Sequence, residues 1–435
     1  MALEGLRVLA RCSACPIKLS DSPVDVRRAP PLGDTNEEIY RSIPCDRHTV
    51  RTKGYSSMKY PLMTVLLVAA AALAGCGGGG GGGGNSNPAP TPPKLLTNIA
   101  VPNASTPPFS SDIGYVEAGK YFLADRNNKS VDVVDTKSNK LIAQIPGPFT
   151  GAGATTDESG PDGIVGITGT HTIYVGDVDS IKVIDTDAQK TVNTIAISNS
   201  GSRVDEGCYD PDDQLAMYAS PGDSPPFATF ISTQTQKPVT KLVFNGSSGL
   251  EACAYDPASK SFLINNDGTS ANPAGELDVI TGSSVASGKP AVSKSFPLGK
   301  CGPTGMVLGP NNDVLIGCDP PAGDPLMTLI MDRASGAIRA TVPFGGVDQV
   351  NYDPTSNRYF LPARHFVKGG TAAASGFSPQ MGVVDGTTRQ LLFMIPVGTG
   401  AHSVAIDSTL GQVEVPFQAG AAGFPDGGIS VFSTR

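Results

Sequence analysis

Tryptophan is absent from the 435 residues, only 4 are histidine, and no apolar stripe of helical period runs for any length. The last absence excludes helical bundles, which need such stripes to bury a face. Charge is sparse as well: Asp, Glu, Lys and Arg make up 17% of the chain, and Lys+Arg 32 against Asp+Glu 40 leaves a net charge of −8. Without a basic surplus there is nothing to neutralise phosphates, and nucleic acid is excluded as an expected partner. No Gly-x-Ser-x-Gly elbow, His-Glu-x-x-His or phosphate-cradling loop occurs, and so few histidines supply a hydrolytic triad poorly.

What the chain has in abundance is turn formers, Gly 52 and Pro 37, which suit short strands joined by tight turns. Ahead of these strands lies an export signal. Met58-Lys59-Tyr60 leads into an apolar stretch over residues 61–72 and then Leu73-Ala74-Gly75-Cys76, so residues 58–76 offer a positive start, an apolar core and small residues. The core is shorter than the roughly 20 residues that span a bilayer, which makes a permanent transmembrane helix the weaker reading. Leu73-Ala74-Gly75-Cys76 resembles the bacterial lipobox. The resemblance implies that Cys76 is acylated and becomes the mature N-terminus, anchoring the chain at about 0.8 kcal/mol per buried methylene. Gly77, rather than Asp, implies by the same resemblance an outer-membrane lipoprotein facing the periplasm or the cell surface.

Residues 1–57 lie upstream of this start, show no periodicity and read as a misassigned, disordered extension. Their Cys12-x-x-Cys15 pair, with Cys45 and His48 later, lacks the second pair that a zinc site needs. Residues 77–94 are Gly-rich and then Pro-rich, the composition of a tether with slack at one end and stiffness at the other.

Over residues 95–435 a period appears. Short β-branched strands such as Val131-Asp132-Val133-Val134-Asp135, Ile181-Lys182-Val183-Ile184-Asp185 and Met381-Gly382-Val383-Val384-Asp385 recur about every 50 residues. Each follows another apolar strand, as in Tyr121-Phe122-Leu123-Ala124, and most precede a further one, as in residues 140–146. Four short strands per unit make one blade, and the repeats predict an all-β, seven-bladed β-propeller of four-stranded antiparallel blades. The chain stops after a third strand, so residues 95–102 are expected to supply the last blade's fourth strand and close the ring.

Tyr121-Phe122-Leu123-Ala124-Asp125-Arg126-Asn127-Asn128 with its following strand, and Tyr174-Val175-Gly176-Asp177 with Ile181 to Asp185, resemble the YVTN repeat of bacterial surface propellers. The later units depart from it through insertions over residues 268–275 and 368–380. Relatives of that family include lactonase-like enzymes and surface-layer proteins, so the resemblance speaks for fold more than for activity.

Aligning the innermost strands on the turns Tyr209-Asp210-Pro211, Tyr255-Asp256-Pro257 and Tyr352-Asp353-Pro354 puts one column at the strand starts: Asp112, Asp162, Asp205, Glu251, Thr304, Asp348 and His402. In a propeller this column converges at one mouth of the channel. Five gathered carboxyl groups repel unless a cation or donors compensate; otherwise each serves to cap backbone N–H groups of a neighbouring loop. Asp205, Glu251 and Asp348 are the candidate ligands of a divalent cation, calcium or magnesium by their hard oxygens. Arg364-His365 and Asn265-Asn266-Asp267 follow second strands and are expected near the same rim.

The even set Cys208, Cys253, Cys301 and Cys318 suggests disulfides in an oxidising compartment, paired Cys301 with Cys318 across a hairpin and Cys208 with Cys253 between neighbouring inner strands. Two functions fit. One is a monomeric, membrane-anchored binding or scaffolding module for an envelope protein or glycan; the other is a metal-dependent, lactonase-like enzyme with Asp205, Glu251 or Asp348 as base.

Overall fold

The computed structural model describes residues 89–105, 108–420 and 424–435. The signal, Cys76, the upstream extension and most of the tether lie outside the described residues. Seven four-stranded antiparallel sheets follow one another around a central axis, as the repeats predict. The innermost strands are Ser111–Glu117, Ile164–Ile167, Gly207–Asp210, Leu250–Asp256, Pro303–Leu308, Asn351–Asp353 and Ala405–Asp407, and they define blades 1 to 7 in chain order. The one α-helix among the described residues is a single turn, Gly282–Ala286.

The burial of each strand explains its sequence. Second and third strands are covered on both faces by the neighbouring blades, so they read as unbroken apolar runs: Tyr121, Phe122, Leu123 and Ala124 are all buried. Outer strands alternate, as in Lys190–Ala196, because one face is wet. No single core exists. Seven apolar clusters fill the seven seams between blades, for example Met217 and Phe230 of blade 3 against Phe262 and Ile264 of blade 4. There the Phe230 and Phe262 rings meet edge to face with centroids 5.3 Å apart.

Closure is as expected. Leu95–Ala100 pairs antiparallel with Gly428–Ser433 to complete blade 7. Tyr121 and Leu123 of blade 1 then pack on Ile429 and Val431, so the last seam is an ordinary one.

Two devices recur around the ring. At the end away from the strand starts, an aspartate closes many hairpins by accepting N–H bonds from the turn: Asp185 from Ala188 at 2.8 Å, Asp210 from Asp212 at 2.8 Å, Asp407 from Leu410 at 3.0 Å. Each turn then needs a residue with positive φ, supplied by Gln189, Gln214 and Gly411. The second device is a bulge on every outer strand. In blade 1, Val133 faces Ala143 and Val134 faces Leu141, leaving Ile142 without a partner; Leu96, Val192, Val239, Ser293, Arg339 and Leu392 are skipped in the same way in the other blades.

Both cysteine pairs are joined as expected. Cys208 links the inner strand of blade 3 to Cys253 in that of blade 4, with Cα atoms 5.7 Å apart, and Cys301 joins Cys318 within blade 5 at 4.9 Å.

Candidate functional site at the channel mouth

The column of strand-start residues converges where the inner strands begin. Asp112, Glu251 and Thr304 sit inside irregular stretches of the ladder, between Ser111 and Gly114, Leu250 and Cys253, and Pro303 and Met306. Such irregularity re-aims a side chain, here toward the axis. Asp162, Asp205, Asp348 and His402 lie just ahead of their strands. Glycine after a column residue makes room for the next blade: a Cβ on Gly305 would fall 2.3 Å from the carbonyl oxygen of Asp348.

Asp112, Asp205, Glu251, Thr304, Asp348 and His402 line a cavity of about 240 Å³. Asp162 is fully buried behind it, against Arg126. Donors supply the compensating charge. The sequence left backbone capping, a cation or hydrogen-bond donors open; among the described residues, none of these carboxylates accepts a backbone N–H, and three arginines interleave with them. Arg126 bridges Asp112 at 3.0 Å and Asp162, Arg203 meets Asp205 at 3.0 Å, and Arg364 meets Asp348 at 2.8 Å. The ring of His402 reaches Asp112 at 3.6 Å and contacts the Gly400 carbonyl oxygen at 2.7 Å.

The charges do not balance evenly. Burial works against the charged form of Asp112, yet Arg126 and His402 hold its carboxyl below the usual range. Burial pushes Asp162 well up, since its guanidinium is shared. Asp205 is pushed up to about 6 by burial, with Arg203 opposing. On the far side of the mouth stand Glu206, Glu251 and Asp348, each with a carboxylate oxygen within 4.8 Å of the others'. Glu206 accepts a hydrogen bond from the Gln349 amide at 2.5 Å. Burial and then neighbouring carboxylates push both Glu206 and Glu251 far above the ordinary range. Asp267, raised to about 6 by burial, adds to the field on Glu251. Both shifts favour the neutral form of Glu206 and Glu251 over the charged one.

The expected cation set Asp205, Glu251 and Asp348 is divided by this geometry. Asp205 groups with Asp112 and Asp162, and Glu206 stands beside Glu251 and Asp348 instead. Arg364 lines the mouth as expected, whereas His365 turns to Asp319 at 2.6 Å and is not part of the lining. Asn265 lies behind the ring, donating to the Thr304 carbonyl oxygen at 2.7 Å, and Asn266 bonds Asp278 at 3.1 Å. Arg126, Arg203, Glu206 and Gln349 were missed by sequence reasoning. Glu206 and Gln349 are chain neighbours of column residues, and Arg126 follows the second strand of blade 1 as Arg364 follows that of blade 6. Arg203 comes from the loop that leads into the inner strand of blade 3.

No family model matches the chain, and no curated protein matches it. Solved structures do. A chain of Kuenenia stuttgartiensis hydrazine synthase is similar at 15% identity and a TM-score of 0.58, over 75% of this chain and 95% of that one. A chain of a mitotic checkpoint complex is similar at 12% identity and a TM-score of 0.53, over 86% of this chain and 99% of that one. Likeness at such identities shows the propeller fold and nothing of activity.

Proposed function

We propose that the propeller is a binding module whose channel mouth takes a ligand bearing a positive charge, displayed at a bacterial cell envelope by a lipid on Cys76. The observation that carries the reading is the uneven balance of the mouth. Three arginines are committed to Asp112, Asp162, Asp205 and Asp348, while Glu251 has no hydrogen-bond or ion-pair partner among the described residues. An incoming cation would supply the positive charge that Glu206 and Glu251 lack and favour their charged forms.

The simplest ligands of this class are calcium or magnesium, which suit hard carboxylate oxygens, and an organic amine. The test is the melting temperature and the calorimetric titration of the purified chain with calcium, magnesium, manganese, zinc and a diamine. A saturable heat that disappears in Glu251→Gln supports the reading; no response to any of them sinks it. The envelope address is tested separately, by labelled fatty-acid incorporation that is lost in Cys76→Ser.

The cluster of Glu206, Glu251 and Asp348 favours a second reading, a metal-dependent, lactonase-like hydrolase in which a bound ion polarises a carbonyl and Glu251 serves as base. Turnover of a lactone panel that depends on added metal and on Glu251 would establish it.

A further inference from the structure

At the end of the ring opposite the mouth, two cavities of about 390 and about 320 Å³ meet below blades 2 and 3, sharing Thr168, Tyr209 and Pro211. Three hairpin turns line the first, residues 168–171 after Ile164–Ile167, 211–214 after Gly207–Asp210 and 233–236 after Phe227–Ser232, and the second runs on along the inner strands past Tyr115, Val165 and Gly207. In a chain with 72 charged side chains (32 + 40), the lining of this groove contains none. It consists instead of tyrosines, threonines and glutamines with a few aliphatic residues.

Several of these groups are uncommitted. The Tyr209 hydroxyl and the side-chain amides of Gln214 and Gln234 make no hydrogen bond among the described residues, and both glutamines are exposed. Gln236 uses its amide oxygen to accept from Asn193 at 2.9 Å, which aligns the amide group. The Tyr209 ring is half-buried, and the Tyr115 ring sits so close to Gly166 that a Cβ there would fall 2.0 Å from its Cζ. Rings fixed in this way offer apolar faces, and amides and hydroxyls beside them offer donors and acceptors in both senses.

That combination selects a ligand class. An anionic ligand would find no cation in the lining and would meet exposed Asp212 and Asp213 on the turn beside it, and a cationic one would find no carboxylate among the lining side chains. A hydrocarbon would desolvate amides and hydroxyls without satisfying them, at a cost of roughly 1–3 kcal/mol for each group. A pyranose presents C–H faces to an aromatic ring and a rim of neutral hydroxyls to amides. The combined groove falls in the size range of small-molecule sites, about 300–1,000 Å³. From this geometry we infer that the groove below blades 2 and 3 is a second binding site, separate from the channel mouth, for a neutral oligosaccharide.

The test is calorimetric titration of the purified chain with maltohexaose, cellohexaose, xylohexaose and N-acetylchitohexaose. Oligogalacturonate and a tripeptide of uncharged side chains serve as controls. At least one neutral sugar should bind with a Kd of about 1 mM or tighter. Tyr209→Ala and Gln234→Ala should each weaken it about tenfold or more, whereas Glu251→Gln at the mouth should leave it unchanged. Gln234 is exposed, so its variant tests the groove without disturbing the fold. The inference is overturned if none of the four sugars binds, if oligogalacturonate or the tripeptide binds as well as they do, or if Gln234→Ala and Tyr209→Ala retain full affinity.

Discussion

At the channel mouth three arginines interleave with Asp112, Asp162, Asp205, Glu206, Glu251 and Asp348, whereas the groove at the other end of the same ring is lined without a single charge. Both ends are made from the same repeat. The difference lies in how each end joins its strands. Away from the mouth, hairpins are closed by aspartates such as Asp185 and Asp210, whose oxygens are taken up by backbone N–H groups. Those carboxylates hold the turn, and the side chains that line the groove beside it are neutral, while Asp187 and Asp212 stand exposed on the turns themselves. At the mouth the ladder is irregular and the blade-to-blade loops vary, so the carboxylates there find side chains, or nothing, as partners.

The comparison is broken most completely by opening the ring. Deleting residues 95–101 removes the fourth strand of blade 7 and uncovers the seam of Ile429 and Val431 against Tyr121 and Leu123. Binding at both ends should fail together, with the melting temperature falling by more than about 10 °C. Unchanged thermal unfolding would show that closure holds nothing.

Arg203→Met should damage one end only. It leaves Asp205, nearly fully buried, without its counter-charge, a loss expected to cost about 3–5 kcal/mol in urea unfolding. A cost below about 1 kcal/mol would mean that protonation of Asp205 absorbs the change.

The disulfides grade the same contrast. Cys208–Cys253 spans 45 residues and ties two inner strands; Cys301–Cys318 spans 17 within one blade. In the chain-entropy account their removal by paired serine substitution costs about 4 and about 3 kcal/mol. Equal losses in calorimetry would show that loop length is not what decides.

The smallest effect is a pH response that Asp205 at the mouth and the buried Asp267 share with Asp132 and Glu414, each raised to about 8 by burial elsewhere in the ring. Asp205 and Asp267 titrate near about 6 in the fold against 3.8 ordinarily, so the folded chain binds more protons than the unfolded one between these values. Their contribution to stability is fully present below the lower value and is lost as pH rises through the upper one. Urea midpoints should fall from about pH 4 to about pH 7 by these groups' share, and Asp205→Asn should flatten the slope. Cation affinity at the mouth should rise over that window, and sugar affinity in the groove should not move.

The ring itself was legible because second and third strands are buried on both faces, so runs such as Val131-Asp132-Val133-Val134 repeat almost undiluted. The column at the mouth was legible because Asp-Pro turns index three of the inner strands and the repeat carries the alignment to the rest. Its partners were not. Arg126 and Arg364 occupy equivalent places after second strands, but two instances in seven blades make no pattern, and Arg203 reaches the mouth from a loop. The groove was invisible for a related reason: threonine and glutamine in turns are ordinary, and only coordinates show that three turns from two blades face one another.

The skipped residue on each outer strand has a consequence for life at high concentration. A strand from another molecule, laid along any of the seven rims, would find its hydrogen-bond register broken after a few residues, at Leu96, Ile142, Val192 or their equivalents. Chains crowded side by side would therefore stay separate discs instead of zipping into fibres, although each rim carries exposed aliphatic side chains that would otherwise invite it.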